Sequence, residues 1–134
     1  MTRSKPTFRN PQVNLYVRDV QAVSHFYVRF FGFSEIFRTP SEGEPVHIEL
    51  KLDNFILGVA SMEAAKNIHN IPASSGPPRA EIALWTDNVD VIFDLLIKNE
   101  VREISKPHNF LSNLRAAWVY DPDGNPVQIV SKIK

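Results

Sequence analysis

The chain has 134 residues, 43% of them apolar, which suits one compact domain or two small halves sharing a core and excludes a disordered chain. Lys plus Arg number 15, as do Asp plus Glu, so the formal charge is 0 and no basic stripe favours a nucleic-acid partner. With 0 Cys there is no disulfide framework, thiol nucleophile or thiolate metal site. No apolar run is long enough to span a membrane and the first residues do not read as a signal peptide, so a cytoplasmic protein with no membrane partner is expected.

Residues 1–11 are polar and aperiodic, with Pro6 and Pro11, and read as an N-terminal tail or a strap across the first strand. Gln12–Val17 then alternates strictly: Val13, Leu15 and Val17 point one way, Gln12, Asn14 and Tyr16 the other, as in a half-buried strand. Asp19 can cap a helix over Gln21–Phe31, where Val20, Val23, Phe26, Tyr27 and Phe30 fall at helical spacing, and Gly32 stops it. Ser34–Arg38 is a short strand, and TPSEGEP a solvated turn or mobile loop. Val46–Leu52 alternates, and the turn LDN leads into the strand Phe55–Ala60. Residues 12–61 therefore form a first β-α-β-β-β module.

Residues 62–78 are a connector and a plausible lid; Met62–Asn67 suits a helical turn, while IPASSGPP is too rich in Pro and Gly to be regular. Residues 79–134 repeat the first module. Glu81–Thr86 alternates like Gln12–Val17, Asn88 replaces Asp19 as the cap, and Val89, Ile92, Phe93, Leu95 and Leu96 form the helical stripe. Glu81 follows Gln12, and Asn88 follows Asp19, by the same 69 residues, which marks an internal duplication. Val101–Ser105 reads as a strand and Lys106–Leu114 as a polar loop holding His108 and Phe110. In Ala116–Lys132 two strands flank DPDGN, where Pro122 presets a turn position and Gly124 can take positive φ. The fold class expected is α+β, two tandem βαβββ modules whose helices cover one sheet face and leave the other for a groove, one structural domain overall.

VNLYVRDVQAVSHFYVRFFGF followed by DPDGNPVQIV resembles the vicinal oxygen chelate superfamily, which includes glyoxalases, bleomycin-resistance proteins, extradiol dioxygenases and fosfomycin-modifying enzymes. The resemblance spans residues 12–132 and implies a curled mixed sheet around a cup-shaped groove, with a homodimer as the common assembly. Metal-dependent members place ligands on four strands. The resemblance puts those positions at Gln12, near Gly58, at Glu81 and at Gln128, where one carboxylate and two amides stand and one position is empty. A divalent ion prefers imidazole or anionic oxygen to amide oxygen, so no cofactor is expected; if one divalent metal ion is bound, Gln12, Glu81 and Gln128 are its ligands.

Parity places Gln12, Asn14, Tyr16, Glu81, Ala83, Trp85, Gln128 and Val130 on the groove side, and Trp118 resembles a cup-facing position. Gln12 and Gln128 either contact ligand or are satisfied within the protein. Glu81 is a general base, an acceptor for ligand, or a surface carboxylate; Trp85 and Trp118 are stacking platforms, or core or dimer packing. His47 and Glu49, two residues apart on one strand face, read as a base–orienter pair or as the exposed side of a meander. His25 reads as a surface helix residue, and His69 falls in the connector. His108 joins Glu81 as a catalytic candidate, and DPDGN is a turn, not a calcium loop. GxSxG, HExxH and Gly-rich phosphate motifs are absent. The function expected is binding of a small aromatic or amphipathic molecule by Gln12, Tyr16, Glu81, Trp85, Phe110, Trp118 and Gln128, with drug sequestration as one version. The alternatives are a metal-dependent lyase, isomerase or dioxygenase, and a ligandless structural or regulatory domain.

Overall fold

In the computed structural model, which describes residues 7–133, the alternating and capped segments become β1 (Val13–Val17), α1 (Val20–Phe31), β2 (Ser34–Thr39), β3 (His47–Leu52) and β4 (Phe55–Ser61). They are followed by α2 (Met62–His69), β5 (Ile82–Trp85), α3 (Val89–Lys98), β6 (Glu103–Phe110), β7 (Leu114–Tyr120) and β8 (Pro126–Lys132). The chain divides into two compact units between Ala73 and Ser74, and each carries its own four-stranded mixed sheet. Of the N-terminal tail, residues 1–6 lie outside the described residues, and residues 7–12 have no regular structure.

In the first unit the strand order is β1-β4-β3-β2, with β1 parallel to β4 and the other pairs antiparallel. The Asp19 carboxylate accepts a hydrogen bond from Ala22 N at 3.0 Å and so satisfies a donor that the helix leaves open. At the other end Gly32 takes φ 75°, which a side chain would resist. Between these stops, Val20, Val23, Phe26 and Tyr27 repeat at three- and four-residue spacing and are buried, as are Ile48, Leu50, Leu57 and Val59 of the sheet. Each such aliphatic side chain stabilises the fold by roughly 1.5–3 kcal/mol. Ser24 is drawn into the same buried face, and among the described residues its hydroxyl has no hydrogen-bond partner.

The second unit repeats the plan as β5-β8-β7-β6, with β5 parallel to β8. Asn88 caps α3 by accepting from Val91 N at 3.1 Å. Val89, Phe93 and Leu96 are buried, as are Ala117, Val119, Val127 and Ile129 on alternate positions of β7 and β8. Arg115 donates to both carboxylate oxygens of Asp90, at 2.7 and 2.8 Å, which ties β7 to the first turn of α3 and holds that carboxyl below its ordinary value. The DPDGN turn is organised by Asp121, which is 1% exposed. Its carboxylate accepts from Asp123 N and Asn125 N, both at 2.9 Å, and from Asn125 Nδ2 at 3.0 Å. Gly124, at φ 90°, donates its N–H to the Asp121 carbonyl. Turn formation accounts for both Asp residues without a cation.

Two boundaries differ most from the sequence expectation. α2 runs on to His69, beyond the turn expected at Met62–Asn67, because Ser61 caps it and Met62 and Ala65 pack with Ala73. Lys106–Leu114 is not a loop: β6 continues through Phe110, pairing His108 with Ala116, Asn109 with Arg115 and Phe110 with Leu114. Pro107 disguises this strand, since it has no N–H to pair; β6 accommodates it as an edge strand with register shifts either side of Ser105. The other edge strand with a register shift is β2, between Glu35 and Phe37.

Removing the Asp121 side chain orphans three donors, so Asp121→Ala should lower unfolding free energy by about 2 kcal/mol in urea titrations. Ser24→Ala deletes an unsatisfied buried hydroxyl and should instead raise stability, by about 1 kcal/mol, in the same measurement. A clear loss of stability on Ser24→Ala would show that the hydroxyl is satisfied in solution.

Candidate functional site

In the second unit, strand pairing lines up Ala83, Gln128 and Trp118 in one row and Trp85, Val130, Ala116 and His108 in the next. These rows lie on the face opposite Val127, Ile129, Ala117 and Val119, because alternate residues of a strand face opposite ways. The Trp118 indole Nε1–H donates to Glu81 Oε1 at 3.0 Å. His108 stacks on the indole with centroids 5.7 Å apart and planes inclined by 22°, and the Phe110 ring lies 6.3 Å from Trp118. His108 Nδ1 is 2.7 Å from the Lys106 carbonyl oxygen. A carbonyl only accepts, so Nδ1 carries the proton and the neutral ring presents Nε2 as a lone pair. Glu81, Phe110, Trp118 and His108 are thus assembled in one place.

The remaining second-unit candidates stand beside that cluster without joining it. Gln128 pairs with Trp118 in backbone register and is half-buried, and among the described residues its amide makes no hydrogen bond. Trp85 is 62% exposed and borders an open depression of about 760 Å³, together with Thr86, Asp87, Ser131, Lys132 and Ile133.

The first unit presents a different polar face. Gln12 Nε2 donates to Asn14 Oδ1 at 2.9 Å and to Glu49 Oε2 at 3.3 Å. His47 Nε2 donates to the same Glu49 oxygen at 3.2 Å, so the base–orienter pair exists as a contact and both side chains are partly buried. Gly58 stands between Asn14 and Glu49 in the strand register. A Cβ at Gly58 would collide with Asn14 Oδ1 and lie 3.1 Å from His47 Cε1. The space into which a fourth-strand ligand would project is therefore filled by the Asn14 amide. Tyr16, 37% exposed, makes no hydrogen bond or ring contact among the described residues. His25 is exposed on α1 and His69 is exposed at the end of α2.

The donors at the four positions suit a divalent ion poorly. Position 58 offers none, Gln12 and Gln128 offer only neutral amide oxygens, and one Glu81 oxygen already accepts an indole N–H. Among the described residues no group of three or more His, Cys, Asp or Glu converges as metal ligands. Glu35 and Asp90 have carboxyls held below their ordinary values by hydrogen bonds from arginine, Arg38 and Arg115. Neither belongs to the two polar faces. Sequence parity alone missed the Asn14 plug; its signal was a glycine in the middle of an otherwise apolar strand, which marks a close approach.

Gly58→Ala should push the Asn14 amide off Gln12, and the side-chain NH₂ signals of both residues should move in ¹⁵N–¹H spectra. Because Asn14 is exposed and free to swing, the stability cost should fall at or below the lower end of the roughly 1–3 kcal/mol usual for overpacked sites.

A sequence model of the Glyoxalase/Bleomycin resistance protein/Dioxygenase superfamily matches residues 9–129. Among solved structures, a glyoxalase/bleomycin resistance protein/dioxygenase family enzyme from Burkholderia phytofirmans PsJN is 25% identical over 92% of this chain and 98% of that one, with a TM-score of 0.76. TioX from Micromonospora sp. ML1 is 20% identical over 91% of this chain and 98% of its own, with a TM-score of 0.73. A lactoylglutathione lyase from Agrobacterium tumefaciens is 19% identical over 95% and 96%, with a TM-score of 0.69. At those identities the last two speak to fold alone. No curated protein matches.

Proposed function

The chain belongs to the glyoxalase/bleomycin resistance protein/dioxygenase superfamily, the vicinal oxygen chelate group, and from that footing we propose that it binds a small aromatic or amphipathic molecule without a catalytic metal. Glu81 carries this reading. It is the one carboxylate at the ligand positions implied by the family resemblance, and it is engaged in holding the Trp118 indole beside His108 and Phe110. A lone carboxylate with one oxygen committed to the indole is too little to hold a divalent ion, whereas the aromatic surface it fixes suits a planar ligand. A cytoplasmic homodimer that sequesters a drug-like molecule fits this reading, and no helix among the described residues is long and apolar enough to cross a membrane.

A second reading, an enzyme, draws on His108, whose Nε2 lone pair has no hydrogen-bond partner among the described residues and lies beside the Trp118 ring. Such a nitrogen can take a proton from a bound substrate. In that case Glu81 would set the charge around the reacting group.

Metal analysis of protein purified without chelator separates the two. Far less than one equivalent of nickel, zinc, manganese or iron is expected, and a near-stoichiometric metal would reverse the ranking. In calorimetric titrations with planar aromatic compounds, Trp118→Leu should weaken binding about tenfold, the loss of one good stacking contact. Light scattering at micromolar concentration should give the mass of a dimer; a monomer would remove that part of the proposal.

A further inference from the structure

We propose that the second-unit site selects planar aromatic cations that donate hydrogen bonds, with Glu81 as the selecting charge; this rests on the binding reading above and specifies its ligand class. The polar atoms left open around Trp118 are acceptors. Glu81 Oε1 is held by the indole N–H, and Oε2 has no partner among the described residues. His108 gives its Nδ1–H to the Lys106 carbonyl, so in the neutral ring Nε2 is an acceptor. An anionic ligand therefore meets a carboxylate and an imidazole lone pair, with no donor from either. A ligand bearing an ammonium, amidinium or protonated ring nitrogen satisfies both.

The aromatic groups favour the same sign of charge. An indole is electron-rich on its face and electron-poor at its N–H edge; Glu81 meets the edge and His108 stacks on the ring, so a ligand has the part of the π surface that His108 leaves uncovered. A cation over such a face is attracted to the ring quadrupole, and a nearby carboxylate adds a Coulomb term of the same sign. Phe110 extends the aromatic surface. Two basic residues stand two positions from site residues: Lys106, whose ammonium is taken up by Glu103 at 2.7 Å, and Arg79, exposed before Glu81. Arg79 makes no hydrogen bond to Glu81, so the carboxylate is not neutralised by contact. Gln128, unbonded and paired with Trp118 in register, can turn either end of its amide to a ligand and does not discriminate by charge.

Three ring systems of one shape isolate charge as the variable: 9-aminoacridine, a cation at neutral pH; acridine, neutral; and acridine-9-carboxylate, an anion. Their dissociation constants for the full chain are measured by isothermal titration at neutral pH and low salt. The cation should bind at least about tenfold more tightly than the other two. Glu81→Gln keeps an oxygen to accept from the indole N–H and removes only the charge. It should abolish the preference, bringing 9-aminoacridine to within about twofold of acridine on the same variant, with circular dichroism confirming the fold. Equal affinity for the three compounds, a preference for the anion, or a cation preference that survives Glu81→Gln would each overturn the proposed selectivity and leave the binding reading standing. Failure of all three to bind the folded protein would overturn both.

Discussion

The register between β7 and β8 decides which side chains reach the open face of the second module, and Asp121 sets it. Its buried carboxylate gathers three donors from the turn that joins those strands, and the turn then delivers Trp118 opposite Gln128 and Ala117 opposite Ile129. A slip of one residue would turn Trp118 into the helix-covered core and bring Ala117 or Val119 to the surface, because side chains alternate with a period of two. Glu81 would then face no indole, and His108 no ring to stack on. Local turn chemistry thus underlies the chemistry of the whole face.

The two modules share an architecture and have diverged in what they do with their open faces. In the first, Gln12, Asn14, His47 and Glu49 bond to one another around Gly58, so the polar groups are largely satisfied internally. In the second, Glu81 and Trp118 bond once, and the acceptors around them remain open. A face whose hydrogen bonds are closed offers shape, whereas one with open acceptors offers selectivity. The duplication that sequence periodicity reveals therefore supplies one frame twice, with different chemistry on each copy.

Much of the frame was legible because its determinants are local. Asp19 and Asn88 cap the helices, Gly32 ends the first, and the alternation of Val13, Leu15 and Val17 marks β1. The second half of β6 escaped notice because Pro107 and its polar neighbours carry loop composition, and only pairing with β7 makes them a strand. Parity placed Glu81, resemblance Trp118, and an expected loop His108 and Phe110 among the candidates, but their assembly depends on rotamers and on strand bulges that no sequence period encodes. The same holds for the tautomer of His108, which follows from a contact with its own strand's carbonyl. Tyr16, Trp85 and Gln128 have the parity expected of them and no side-chain contacts that define a role. Gly58 had a clear meaning as an absent donor, whereas the Asn14 amide that fills its space is a matter of cross-strand register.

Pro107 and the shifts beside it also affect how the molecule meets others like itself. An edge strand exposes a row of unpaired N–H and C=O groups that can template a foreign strand, and each sheet here ends in one such strand carrying a break: β2 between Glu35 and Phe37, β6 around Ser105. Phe37 and Ile36, about half exposed on β2, would otherwise make that edge adhesive. The interrupted ladders deny an incoming strand an unbroken run of partners. The irregularity that hid the second half of β6 from sequence reading thus also works against strand addition at the β6 margin.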